Sequence, residues 1–266
     1  MNLSDKEIEF LYARLSDLFE RAEGGVLSVS PFYSPAELVS VRRWISRAGA
    51  GERSVIYGGY EGCERARVYF LPEYITPEPE RSVSDVISDY GFAEPTVMLK
   101  ITGSGFRELS HRDFMGSLLS LGIERDVLGD IVCERDSVAC VFCDAAIAPF
   151  IKENLKKVAN DSVKISELPL PRGSFGEREY ETLPCTVASC RLDSIVAAVC
   201  NLSRETAKKA VLGGLCSLNH ETVCTPDAVL CAGDVFSVRG KGKYTLASCN
   251  GENRRGRLRI TVHKYK

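Results

Sequence analysis

Residue types able to do chemistry gather in three places along the chain. Towards its end, Arg191-Leu192-Asp193 is followed by Ser203-Arg204 and then by Lys208 and Lys209. Guanidinium and ammonium groups in such a set are suited to holding phosphate oxygens. Arg204 and Lys208 lie four apart, so on a helix they share one face. Ser203 is a helix-capping residue type, and the free backbone N–H groups of the helix it starts add to Arg204 as an anion site. Further on, Arg239-Gly-Lys241-Gly-Lys243 supplies a second basic run, and residues 254–262 alternate basic with apolar side chains. The second place is Glu64-Arg65 with His111-Arg112-Asp113, the only cluster that suggests acid–base work. His111 stands where a helix begins and Asp113 in its first turn, where a carboxylate suits the dipole, so a helix start and interface contacts are the favoured reading. The third is Cys140-x-x-Cys143, a possible metal pair, but it lies in a run that reads as a buried strand and has no second pair or spaced histidine. His220 and His263 have no evident triad or metal partner.

The elements that must position these groups can be read from periodicity and caps. Ser4 and Glu7 form a capping box before a helix carrying Ile8, Leu11, Leu15, Leu18 and Phe19, which Gly24-Gly25 stops. Ser34-Pro35-Ala36-Glu37 opens a second helix with Leu38, Val41 and Ile45 inward. Strands follow at 54–57 and 67–71, and residues 75–85, rich in Pro, Glu and Ser, read as a linker. The middle of the chain has the order strand (96–102), helix (110–121), hairpin (129–133 and 138–142), helix (147–158), strand (162–165). That β-α-β-β-α-β order belongs to the ferredoxin-like fold shared by RNA-recognition domains. Its strands offer Met98 and Leu99, then Ile131 and Cys133, without the aromatic pair on which such domains stack bases. Residues 168–177 read as a second linker. Beyond it come a short helix with Leu192, Ile195, Val196 and Val199, a second at 204–212 ended by Gly213-Gly214, and strands at 215–219, 235–239 and 254–262.

The fold class expected is α+β and multi-domain. It comprises a small N-terminal α/β domain (1–76), a central ferredoxin-like, RRM-like domain (77–168), a linker (169–184) and a C-terminal RNA-binding domain (185–266). Charge divides along the same line. Residues 185–266 carry 13 Lys+Arg against 6 Asp+Glu, whereas the whole chain carries 34 against 36. A basic end on an acidic body points to a polyanion partner. No apolar run reaches membrane-span length, and the polar start Met1-Asn2-Leu3-Ser4-Asp5-Lys6-Glu7 is no leader, so a cytoplasmic protein with no membrane partner is expected. The 11 cysteines, odd in number and scattered, read as reduced core residues, Cys133, Cys200 and Cys216 among them. No heptad run argues for self-association, so a monomer is expected.

Residues 185–243 resemble the S-four (alpha-L) RNA-binding domain. The likeness rests on Arg191-Leu-Asp193, on Ser203-Arg204 with Ala207, on the hairpin between Gly213 and Asn219, and on Gly233-Asp234 leading to Arg239. Where that family usually has Val-x-Val-Asn-Gly, this chain has Leu215-Cys-Ser-Leu-Asn219-His220. The resemblance implies that two helices and the following hairpin dock on structured RNA. It places RNA-binding roles on Arg191, Ser203, Arg204, Lys208, Lys209, Asn219, Arg239, Lys241 and Lys243, with Asp193 orienting a neighbouring arginine. Two further segments, Gly58-Gly-Tyr-x-x-x-Glu64-Arg65 and His111-Arg-Asp-Phe-Met-Gly-Ser-Leu-Leu-x-Leu-Gly122-Ile123-x-Arg125 with Gly129-Asp130-Ile131, look like the YlmH family, which ends in an S-four domain. That resemblance implies a ribosome-associated factor binding ribosomal RNA, and transfer RNA with it, on a large subunit blocked by peptidyl-tRNA, in rescue and quality control of stalled translation. It implies no cofactor, no metal and no catalysis.

The alternatives come from other classes. Pseudouridine synthases and RNA methyltransferases carry this binding domain first, whereas here it is last, and Gly103-Ser-Gly105 is too short for a methyltransferase loop. A tyrosyl-tRNA synthetase places it last, but neither the HIGH nor the KMSKS signature is present. A translational regulator of a non-ribosomal RNA remains compatible with every residue named.

Overall fold

The computed structural model describes residues 3–78, 80–134, 137–176, 180–253 and 256–265. The chain divides into two compact units, a body at Ser4–Gly176 and a C-terminal unit at Glu177–Lys266.

The body opens with α1 (Asp5–Glu23), whose capping box is formed by Ser4 and Glu7. Strand β1 (Ser28–Val29) and α2 (Pro35–Ala48) follow, with a capping box at Ser34 and Glu37. In both boxes the serine accepts from the N3 amide while the glutamate accepts from the cap amide, satisfying donors that a helix start leaves open. β2 (Ser54–Tyr57) and β3 (Arg67–Phe70) complete an antiparallel sheet ordered β1-β3-β2. Phe19, Trp44 and Phe70 meet edge-on and tilted, with centroids 5.6 to 6.0 Å apart. Residues 75–85 are not a linker. Ile75 and Val83 are buried with Tyr69, Leu71, Val86 and Ile87, and Ser82 caps a helix, α3 (Val83–Asp89). Pro and Glu dominate the composition of 75–85, but Ile75 and Val83 carry its packing.

The second half of the body has the expected β-α-β-β-α-β order: β4 (Thr96–Gly103), α4 (His111–Ser120), β5 (Leu128–Glu134), β6 (Val138–Asp144), α5 (Ala148–Asn154) and β8 (Asp161–Leu168). A two-residue strand, β7 (Lys157–Val158), adds an edge, and the antiparallel order is β5-β6-β4-β8-β7. The helix expected to Val158 stops at Asn154. Ile151, Leu155 and Val158 have helical spacing, yet Leu155 leaves helical geometry and Ala159 turns the chain at φ 51° into the β7–β8 hairpin. The turn at Arg135-Asp136 lies outside the described residues.

One face of this sheet packs on the helices through Leu99, Ile101, Ile131, Val141 and Cys143 against Phe114, Leu118 and Ile151. The other face is covered as well. Met98, Cys140 and Phe142 are buried beneath Tyr60, Cys63, Leu170 and Phe175. Residues 168–176, expected as linker, therefore lie partly on the sheet, and Glu61 N–H donates to the Gly173 carbonyl at 2.9 Å. Gly59, at φ +107°, crosses the Phe142 ring where any Cβ would collide.

The C-terminal unit is a six-stranded antiparallel sheet, ordered β11-β10-β12-β13-β14-β9, with two helices. Its elements are β9 (Tyr180–Val187), α6 (Leu192–Val199), α7 (Arg204–Leu212), β10 (Cys216–Leu218), β11 (Glu221–Thr222), β12 (Val235–Val238), β13 (Gly242–Glu252) and β14 (Leu258–Tyr265). Leu192, Ile195, Val196, Ala207 and Val211 from the helices bury against Phe236, Tyr244, Leu246, Ile260 and Val262. Residues 180–184, expected as linker, belong to β9. Pro184 hid this strand, but β9 pairs with β14 alone, and an edge tolerates a missing N–H. Arg254 and Arg255, part of the expected closing strand, lie outside the described residues.

Candidate nucleic-acid interface

Helix α6 starts at a tight crossing. Leu192 N–H donates to the Ala228 carbonyl at 2.8 Å and Asp193 N–H to Pro226 at 3.0 Å, while the Cys190 carbonyl accepts from Leu230 at 2.8 Å. With the backbone held on both sides, the Asp193 side chain is 3% exposed, in the first turn where the helix dipole favours a carboxylate. Arg191 reaches it with both edges of its fork, Nε to Oδ1 at 3.2 Å and Nη2 to Oδ2 at 3.3 Å. From the start of α7, Arg204 Nε lies 3.8 Å from Asp193 Oδ2. Arg191 remains 38% exposed and Arg204 60%. One buried carboxylate thus holds two guanidinium groups whose remaining donors meet solvent, and the trio carries a net positive charge.

The other expected site residues separate into roles. Ser203 is spent on the cap of α7, its Oγ accepting from Thr206 N–H at 3.1 Å. Lys208, exposed, is one turn beyond Arg204 along α7. Lys209 pairs with Glu205 at 2.8 Å, so its charge is half cancelled in place. Asn219 is a locked turn residue. At φ 47° it donates to Asp234 Oδ1 at 2.8 Å and accepts from Val235 N–H at 3.0 Å, and His220 follows at φ 72°. Positive φ at both positions is the geometry for which Asn-Gly is the usual choice. Arg239 and Lys241 are exposed around the β12–β13 turn, and Lys243 lies over the Tyr265 ring at 4.7 Å. The structure therefore brings Arg191, Asp193 and Arg204 together, with Lys208 along the same helix, and sets Arg239, Lys241 and Lys243 in a separate hairpin.

Arg257 was not singled out in the sequence. It borders, with Arg204, a shallow groove of about 320 Å³ that includes Ser194, Ala197, Ala198 and Leu202, and its Nη2 donates to the Thr186 carbonyl at 3.3 Å. Its signal was the basic–apolar alternation of the last strand.

The acid–base cluster is a structural joint. Asp130 accepts from Tyr60 Oη at 2.7 Å, Glu64 N–H at 2.7 Å and Arg65 N–H at 2.9 Å. Arg65 is buried and donates to the carbonyls of Leu128, Phe32 and Arg125. Arg67, also buried, donates to the Ser30 and Pro95 carbonyls, pairs with Asp144 at 2.7 Å and stacks over Phe32. Gly129 lies so close that a Cβ would stand 2.8 Å from Phe32. Asp113 closes a capping box with Ser110, whose hydrogen bonds hold its carboxyl below the usual range. Desolvation and the Arg125 charge push His111 down, against Asp130 and Glu64. The Gly-Gly-Tyr…Glu-Arg and Gly-Asp segments thus meet as two halves of one joint.

Cys140 and Cys143 point to opposite faces of β6, into different cores, so they cannot share a metal. Burial pushes their thiols up to about 11 and about 12. Cys216 is buried as expected, but Cys133 is exposed, at the end of edge strand β5 and past the helices that cover its centre.

Residues 95–172 match the family model described as "Putative RNA-binding domain in YlmH". The "Ribosome-associated protein quality control protein P2" of Bacillus subtilis (strain 168) is 28% identical over 240 residues, which span 90% of this chain and 88% of that protein. Among solved structures, "Cell division protein ylmH from Streptococcus pneumoniae" is 19% identical with a TM-score of 0.47, covering 64% of this chain and 94% of that one. The matched RNA-binding family model thus falls within the body, and the likeness to the Bacillus subtilis protein runs through nine-tenths of this chain.

Proposed function

We propose that this is a non-catalytic, ribosome-associated RNA-binding protein, and that its C-terminal unit grips structured RNA of the large ribosomal subunit during rescue of stalled translation. The observation that carries the reading is the buried Asp193 carboxylate holding Arg191 and Arg204 beside a capped helix start. Guanidinium forks fixed in this way meet phosphate oxygens without first losing side-chain freedom. Lys208 extends the positive face, and Arg239 and Lys241 offer a second point of contact. Phosphate contacts supply most of the affinity, so binding weakens steeply with salt. Recognition follows RNA shape, because the accessible groove of an RNA helix displays little sequence.

The central domain contributes by a route other than base stacking on its sheet, since Met98, Cys140 and Phe142 lie beneath Tyr60 and Phe175. The body then serves to place the basic unit. The protein acts in the cytoplasm as a monomer; among the described residues no helix is long and apolar enough to cross a membrane. The relative's name supports the ribosomal setting. Ultraviolet crosslinking in cells, followed by sequencing of the attached RNA, tests the assignment. Recovery of large-subunit ribosomal RNA, with transfer RNA beside it, is expected. Recovery of a single messenger or regulatory RNA would replace the ribosomal reading with that of a translational regulator.

A further inference from the structure

Three thiols of the C-terminal unit cluster at the start of the α6 arm. Cys190 and Cys249 have sulfurs 3.4 Å apart although 59 positions separate them in the chain. Cys231 is near enough for its charge to act on Cys190. We infer that Cys190 and Cys249 are an oxidative modification site, closing to a disulfide when the protein meets a peroxide-class oxidant.

The geometry needs little change. A disulfide has sulfurs about 2.05 Å apart, so the pair approaches by ~1.4 Å. Both residues stand on anchored backbone: the Cys190 carbonyl accepts from Leu230, and Cys249 pairs with Ile260 in the β13–β14 ladder. Next to Cys249 the ladder shifts register, which gives that strand room to adjust. Cys249 is exposed and Cys190 half-buried. Cys249, open to solvent, therefore meets the oxidant first, while burial and then the contact with Cys249 push the half-buried Cys190 thiol up. The Cys249 thiolate attacks the peroxide, forming an S–O bond and breaking O–O, and the expelled hydroxide takes a proton to become water. The Cys190 sulfur then attacks the sulfenic sulfur, forming S–S and releasing a second water. Two thiols are oxidised and one peroxide is reduced to two waters.

Cys190 directly precedes Arg191, so the crosslink ties β13 to the chain neighbour of the residue that carries one of the two guanidinium groups on Asp193. That consequence rests on the RNA-binding function proposed above; the crosslink itself does not.

The test treats the full-length protein with hydrogen peroxide, blocks remaining thiols with N-ethylmaleimide and maps peptides without reduction, beside Cys190→Ser and Cys249→Ser. A Cys190–Cys249 linked peptide that vanishes on reduction is expected. In Cys190→Ser, Cys249 should collect as a sulfenic acid that dimedone traps. Alkylation of both thiols at doses that oxidise exposed Cys133 and Cys224 would overturn the proposal, as would linkage of Cys249 to Cys231. On the same samples, RNA affinity of the oxidised wild type should fall on the order of fivefold and recover on reduction, with Cys190→Ser unaffected. A crosslink that leaves affinity unaltered keeps the modification and overturns its coupling to Arg191.

Discussion

Asp193 and Arg191 meet through two parallel contacts of 3.2 and 3.3 Å, with the carboxylate buried and the guanidinium partly open to solvent. The pair is two residues apart at a helix start, so its geometry is set by local backbone rather than by a distant fold contact. Arg204 joins it from a second helix at 3.8 Å. The carboxylate gives the site orientation and leaves its charge positive.

Asp193→Ala should separate orientation from charge. Both arginines stay and can rehydrate, so stability falls by only about 1–2 kcal/mol in urea denaturation. RNA affinity should fall roughly tenfold even though net positive charge rises. Unchanged or tighter binding would mean that charge alone does the work.

Removing one phosphate-contacting cation should change the salt dependence as well as the affinity. For Arg204→Gln the slope of log affinity against log salt should shrink by about one unit. Lys209→Gln, whose cation already pairs with Glu205, should change it far less. Equal slopes for the two variants would remove Arg204 from the interface.

The joint in the body makes a stability prediction. Arg67→Ala leaves Asp144 and two carbonyls without their donor, and should cost about 3 kcal/mol in denaturant unfolding. Gly129→Ala, forced against Phe32, should cost about 1–3 kcal/mol. Where these variants remain folded, their RNA affinity should match wild type; a selective loss of binding would place the joint in the interface.

Acid stability should carry the mark of the capping boxes. The Glu7 and Asp113 carboxyls sit below their usual values because Ser4 and Ser110 donate to them. A depressed folded value means stability that is present above the unfolded value and lost as pH falls through the carboxylate range. Ser110→Ala should therefore lower stability at neutral pH and flatten the acid limb, the difference from wild type shrinking as pH falls below about 4.

How far the sequence could be read depended on whether the signal was local. Capping boxes at Ser4 and Ser34, and the helix starts at Ser110 and Ser203, are decided within a few residues, and all stand where their motifs put them. The Arg191-Asp193 pairing was legible for the same reason. What escaped was decided at long range. Nothing near Tyr60 announces that it lies over Phe142, and Pro184 disguised a strand whose partner is some 77 residues away (Thr261). Strand β13 carries two register shifts and an Asn-Gly step, which blur the alternation that marks a strand. Val158 kept helical spacing with Ile151 and Leu155 while belonging to a hairpin, because burial was satisfied either way.

The most direct test of the central claim is co-sedimentation with ribosomal subunits in a sucrose gradient, wild type beside Arg204→Glu, at low and moderate salt. The wild-type protein should travel with the large subunit at low salt and partly release at moderate salt, while Arg204→Glu, folded by circular dichroism, stays at the top. If the variant travels with the large subunit as well as wild type does, the Asp193-anchored arginine pair is not what holds the RNA.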